Sequence, residues 1–126
     1  MVEHWESYPE TASPFDTSLK RGEPSYFEEW RPSFVDGCGG KSVLPTMWPL
    51  LSTLLSGSIV VSLAEIAAAM KMVADRCHVI AEGAAACAVA AALSGRVNGK
   101  VVAIVSGGNI DLSKFASLVG ACDHIS

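Results

Sequence analysis

Lys100-Val101-Val102-Ala103-Ile104-Val105-Ser106-Gly107-Gly108-Asn109-Ile110-Asp111 is the stretch on which the reading of the fold turns. Five consecutive apolar residues, most of them β-branched, predict a strand buried on both faces, as in the middle of a parallel sheet. The run stops at Ser106, two glycines follow, and Asp111 stands before a helix predicted over 112–118. Strand, tight glycine turn and helix start place small polar groups at the carboxyl end of a sheet, where open α/β sheets take their ligands. Without a Cβ in the way, the backbone N–H groups of such a turn can approach an anion or a ring heteroatom. A plain structural turn uses the same pattern, so the flanking sequence has to decide.

Upstream, Ile80-Ala81-Glu82-Gly83 opens an alanine-rich segment that runs to Ser94 and meets a C-terminal stop at Gly95. It predicts a helix small enough on every side to pack closely against a sheet. Glu82 at its start is favourable for dipole reasons alone. Before it, Ser62-Leu63-Ala64-Glu65 forms a capping box, which predicts a helix to about 75–77 with Ile66, Met70 and Val73 on one stripe. Ser58 to Ser62 reads as a short β-branched strand. A helix of about ten residues is expected within 44–55, with Pro49 in its first turn.

The N-terminal side is different in kind. Residues 1–33 are punctuated by Pro9, Pro14, Pro24 and Pro32 and predict one short helix after Ser13, then loop or edge strand. The glycine-dense loop Phe34 to Lys41 follows. Its Gly40-Lys41-Ser42 matches the end of a nucleotide phosphate loop, but Val35 occupies the position where that pattern needs its first glycine. The reading is therefore α/β: a partial open parallel sheet flanked by helices, with residues 1–33 as an N-terminal segment and 34–126 as the α/β portion.

Half of the 126 residues are apolar and 17% are charged, which excludes a disordered chain. A net charge of −4 gives no electrostatic reason to expect nucleic acid or an anionic membrane as partner. Cys38, Cys77, Cys87 and Cys122 lack metal-like spacing, and Cys77 and Cys87, in helical patterns, are expected to be buried free thiols of a reducing compartment. With Glu3, His4 and Glu6 interrupting any leader-like run and no stretch long enough to span a bilayer, the chain reads as soluble and cytoplasmic.

Taken together, Ile80 to Gly95 and Val101 to Asp111 resemble the C-terminal region of the pyridoxal-phosphate (PLP) enzymes of fold type II, the threonine and serine dehydratases and serine racemase. In that family a Glu-Gly or Glu-Pro opens an alanine-rich helix, and a strand ends in Ser-Gly-Gly-Asn. The resemblance extends back through Phe34-Val35-Asp36-Gly37 to Pro9–Pro14 and covers about the last third of a family catalytic domain. It implies that Ser106 partners the pyridine nitrogen, that Gly107, Gly108 and Asn109 complete the turn, and that Glu82 and Gly83 lie near the cofactor ring. It also places Asp36 near a cation site found in some members.

What PLP chemistry further requires has no counterpart. The Schiff-base lysine motif, the tetraglycine phosphate loop and the Ser-x-Gly-Asn-His substrate loop are absent, and Lys20, Lys41, Lys71, Lys100 and Lys114 all stand in other contexts. The implied function is a C-terminal portion of a PLP-dependent threonine/serine dehydratase (ammonia-lyase), supplying the pyridine side of the site, inactive alone and binding no cofactor alone. No catalytic residue is assigned. The small-molecule partner would be an amino acid in the complete enzyme. A homo-oligomer, or association with a missing N-terminal part, is expected from the apolar content. The alternative is a non-catalytic oligomerising α/β module that kept the fold.

Overall fold

A capping box sets the geometry of the central helix. Strand β2 (Gly57–Val61) hands over to helix α3 (Leu63–Cys77) at Ser62. The Ser62 hydroxyl accepts the Glu65 N–H at 3.1 Å, and the Glu65 carboxylate accepts the Ser62 N–H at 2.7 Å. Two orphan donors are thereby satisfied and the chain turns sharply from strand into helix. The computed structural model describes residues 1–122; positions 123–126, the end of the expected α/β portion, lie outside the described residues. Before β2 come β1 (Trp5–Pro9), α1 (Pro14–Arg21) and α2 (Trp48–Leu54); after α3 come α4 (Gly83–Leu93) and α5 (Leu112–Ala121).

α3 turns Ile66, Ala69, Met70 and Val73 inward, and α4 meets that face with Ala85, Ala86, Cys87, Val89 and Ala90. Side chains this small let the two helices approach closely and pack over β2, whose Ile59 and Val61 are buried beneath them. Burying a side chain such as Ile66 or Met70 contributes about 2 kcal/mol each. Val35 from the glycine-dense loop and Phe115 from α5 close the core. Arg96, just beyond α4, ties the assembly at its edge. It donates to the Val60 carbonyl and pairs with Glu65 at 3.1 Å.

Two strand expectations change. β1 lies within the proline-punctuated segment, for which only a short helix and loop or edge strand were expected. It pairs in parallel with β2, from Trp5↔Gly57 to Pro9↔Val61. Pro9 is tolerated because it ends an edge strand and is not asked to donate within the ladder. In the second case, Val101–Val105 is not a strand. The run has no regular secondary structure and no ladder partner, and within it only Ala103 packs against the core; Val102 is 90% exposed and Ile104 74%. Hydrophobicity gives a run a reason to seek burial, but a strand also needs an edge to pair with. The sheet among the described residues is the two-stranded β1–β2.

The remaining elements fall where the sequence places them. Pro14 begins α1, Pro49 sits in the first turn of α2, and Gly95 adopts the left-handed conformation just past α4. The four cysteines are free thiols; Cys87 is buried, but Cys77 is exposed, because it is the last residue of α3 and lies beyond Val73, where the buried stripe ends. Among the described residues no helix is long and apolar enough to cross a membrane.

Candidate cofactor site

Three loops meet at the start of α4. Glu82 is its N-cap residue, in extended conformation, and its backbone N–H donates to the Gly107 carbonyl at 3.1 Å. That bond fastens the Ser106-Gly107-Gly108-Asn109 turn to the head of the helix. The Glu82 side chain makes no capping bond to its own helix. Its carboxylate lies instead between two glycines. A Cβ on Gly107 would stand 2.4 Å from Glu82 Oε1, and one on Gly37 would stand 2.9 Å from the Ala84 Cβ and 3.7 Å from Glu82 Oε2. A side chain at Gly107 would push the Glu82 carboxylate out of its present position, so the glycine lets the carboxylate lie against the backbone there.

Beside this junction opens a cleft of about 240 Å³ lined by Phe34, Asp36, Glu82, Asn109, Ile110, Asp111 and Lys114. A second, wider hollow of about 360 Å³ runs along the glycine-dense loop, from Trp30 and Asp36 to Lys41. Lys41 stands over the Trp30 ring, 4.8 Å from its centroid, a cation–π contact that holds the ammonium at that rim. Asp36 lines both hollows.

Of the residues implied by the sequence, Glu82, Asn109 and Asp36 line the smaller cleft. Ser106 is exposed at the end of the apolar run, Gly107 lies against Glu82, and Gly108 is held against the Ile80 carbonyl, 2.4 Å from where its Cβ would be. Gly83 is buried under Phe34 and Val35. Ile110, Asp111 and Lys114 were not singled out. A signal for two of them exists: Asp111 is the N-cap of α5 and Lys114 lies three positions on, so both belong to the first turn of the helix that the Ser-Gly-Gly-Asn turn introduces. Three carboxylates against one ammonium make the cleft acidic. Around Asp36, among the described residues, no three His, Cys, Asp or Glu side chains are grouped to hold a metal ion.

A glycine-turn junction of this shape can be compared with known proteins. Residues 7–107 match the family described as pyridoxal-phosphate dependent enzyme. The chain belongs to that family. It is 38% identical over 93 residues to the catabolic L-threonine dehydratase of Staphylococcus aureus, an alignment that takes in 69% of this chain and 27% of the relative. Among solved structures, maize serine racemase superposes with a TM-score of 0.81 at 26% identity, covering 95% of this chain and 40% of that one. Serine racemase from Dictyostelium discoideum gives 0.77 at 30% identity, over 88% and 36%. The chain is thus threonine dehydratase-like over about a quarter to two fifths of the length of these relatives, with the α/β architecture of fold type II.

Whether these residues suit the family's cofactor depends on which end of it is considered. Ser106 offers an exposed neutral hydroxyl, and the glycine turn beside it has bare backbone; both suit a heteroaromatic ring and its nitrogen. The phosphate end asks for a cradle of N–H groups and positive charge. A cleft carrying Asp36, Glu82 and Asp111 against Lys114 does not provide that. The residues present fit the ring side of the group.

Proposed function

We propose that this chain supplies the pyridine-ring side of the cofactor site of a PLP-dependent threonine/serine dehydratase-like ammonia-lyase, and that it is inactive alone. The single observation that carries this reading is the Glu82 N–H to Gly107 carbonyl bond, which joins the Ser-Gly-Gly-Asn turn to the head of α4. PLP, when bound, supplies an electron sink for the α-carbon of an amino acid. Ser106 would donate its hydroxyl to the ring nitrogen, a neutral partner that leaves the nitrogen unprotonated. Gly107 and Gly108 would keep the approach to the ring clear. Asn109 and Glu82 would hold the polar edge of the cleft. The reading of Asp36 as a cation ligand has no comparable support.

The test is amide chemical-shift mapping with pyridoxine, which carries the ring but no aldehyde and so cannot modify lysines. The expected result is a set of shifts confined to Glu82, Gly83 and 106–109, weakened by Ser106→Ala. Shifts scattered elsewhere, or a Ser106→Ala chain that responds unchanged, would overturn the reading. Ammonia release from threonine or serine by the chain alone would overturn the statement that it is inactive.

A second reading, association through the apolar run, is favoured by one observation: Val102 and Ile104 stand in the open. Apolar residues so placed promote self-association or union with further family sequence. Light scattering that returns 13.2 kDa at every concentration would count against it.

A further inference from the structure

Cys38 and Cys87 are 49 positions apart in sequence, yet their sulfurs stand 3.9 Å apart in the fold. We propose that they form a peroxide-sensitive dithiol that closes to an intramolecular disulfide and locks the glycine-dense loop onto α4. The two thiols differ in the way such a pair requires. Cys38 is half-buried and lines the wider hollow between Gly37 and Gly39, where a small oxidant can reach it. Cys87 is buried on α4, behind it. The contact with the Cys87 thiol holds Cys38 below the ordinary thiol range, against the opposing effects of burial and of Glu6 and Glu82; Cys87 itself is pushed up by the same contact and by burial. Cys38 is therefore the first to ionise and the first to react.

The chemistry balances as follows. The Cys38 thiolate attacks one oxygen of hydrogen peroxide, gives a sulfenic acid and releases hydroxide. The Cys87 sulfur then attacks Cys38, a sulfur–sulfur bond forms, and the second oxygen leaves as water. Two thiols lose two hydrogens, two electrons pass to the peroxide, and two waters result. Closing the gap to about 2 Å needs rotation of the side chains and a small advance of the loop. The glycines flanking Cys38 are packed against Ala12 and Ala84, so most of the closure must come from rotation of the two side chains. The locked loop carries Asp36 and Gly37, so oxidation would fix one wall of the acidic cleft. This proposal does not depend on PLP.

The experiment treats the full chain, carrying Cys77→Ser, with a small excess of hydrogen peroxide and maps the cysteines by mass spectrometry. The substitution is needed because Cys77 and Cys87 share one tryptic peptide, and it is tolerated because Cys77 is exposed. The expected product is a monomer lighter by about 2 Da with Cys38 joined to Cys87, reversed by dithiothreitol. Cys38→Ser should abolish it, and 8 M urea before the oxidant should abolish its selectivity over pairs with Cys122. Sulfinic acid at Cys38 with Cys87 untouched would overturn the proposal. So would a Cys38–Cys87 link formed equally well in urea, since the folded geometry would then not be its cause.

Discussion

The helix α4 and the run Val101–Val105 are both unbroken apolar stretches, yet the chain treats them oppositely. α4 is buried on nearly every side by α3, β2 and Phe115, whereas Val102 and Ile104 stand in the open. A helix satisfies its own backbone and needs only a surface to lie against; an extended run must also find a neighbour for its N–H and C=O groups. Apolar content alone does not decide burial. The availability of a backbone partner does.

The sharpest way to break this comparison is to delete apolar mass from each side. Met70→Ala, in the α3–α4 interface, should cost about 2–5 kcal/mol in urea unfolding. Val102→Ser should stay within about 0.5 kcal/mol. If the two cost alike, the apolar run is packed in solution and the contrast fails.

The junction between the two regions is the next test. Gly107→Ala pushes a methyl against the Glu82 carboxylate, the movable end of a side chain, and should cost up to about 1 kcal/mol. Adding Glu82→Ala should recover much of the loss, because the clash disappears with the carboxylate; a double-mutant cycle that shows no coupling would place the turn elsewhere.

On the packed side, Ser62→Ala removes one half of the capping box and should cost about 1 kcal/mol. The Glu65 carboxyl is held below its ordinary value of 4.5, first by the Ser62 N–H and further by Arg96. A depressed carboxyl stabilises the fold above that value and loses its contribution as pH falls through the lower folded one. Stability should therefore decline on acidification below about 4.5, with a shallower decline in Glu65→Gln, whose side chain does not titrate; an equal slope in the two chains would remove Glu65 from the account. The smallest effect is expected at Ser58, whose buried hydroxyl has no partner among the described residues. Ser58→Ala should be neutral or stabilise by up to about 1 kcal/mol, read by the same unfolding curves.

How much of this was legible in the sequence follows the same division. α3, α4 and α5 were readable because the capping box at Ser62, the apolar stripe of α3, the glycine stop at Gly95 and the Asp111 helix start are local signals. β1 was not, because Trp-Glu-Ser-Tyr-Pro is short, carries polar residues and earns its place only by pairing with a distant strand. The apolar run was misread because its hydrophobicity was visible and its lack of a neighbour was not. At the candidate site, the resemblance pointed to Glu82 and the Ser-Gly-Gly-Asn turn. Ile110 joined the cleft only through the meeting of three loops, whereas Asp111 and Lys114 had the first turn of a readable helix as their signal.

The parallel register of β1 and β2 also bears on how the chain acquires its shape in time. Trp5 and Gly57 are about fifty positions apart, so the first strand must wait, unpartnered, until α1, α2 and the glycine-dense loop have been made and folded back. Bringing such distant ends together is paid for in chain entropy before any contact rewards it, which places the step late and makes it slow. During synthesis, α1 can form from local sequence alone while β1 trails as an open ribbon. A helper that shelters Trp5–Pro9 until β2 emerges would therefore hasten folding more than one that attends to the helices.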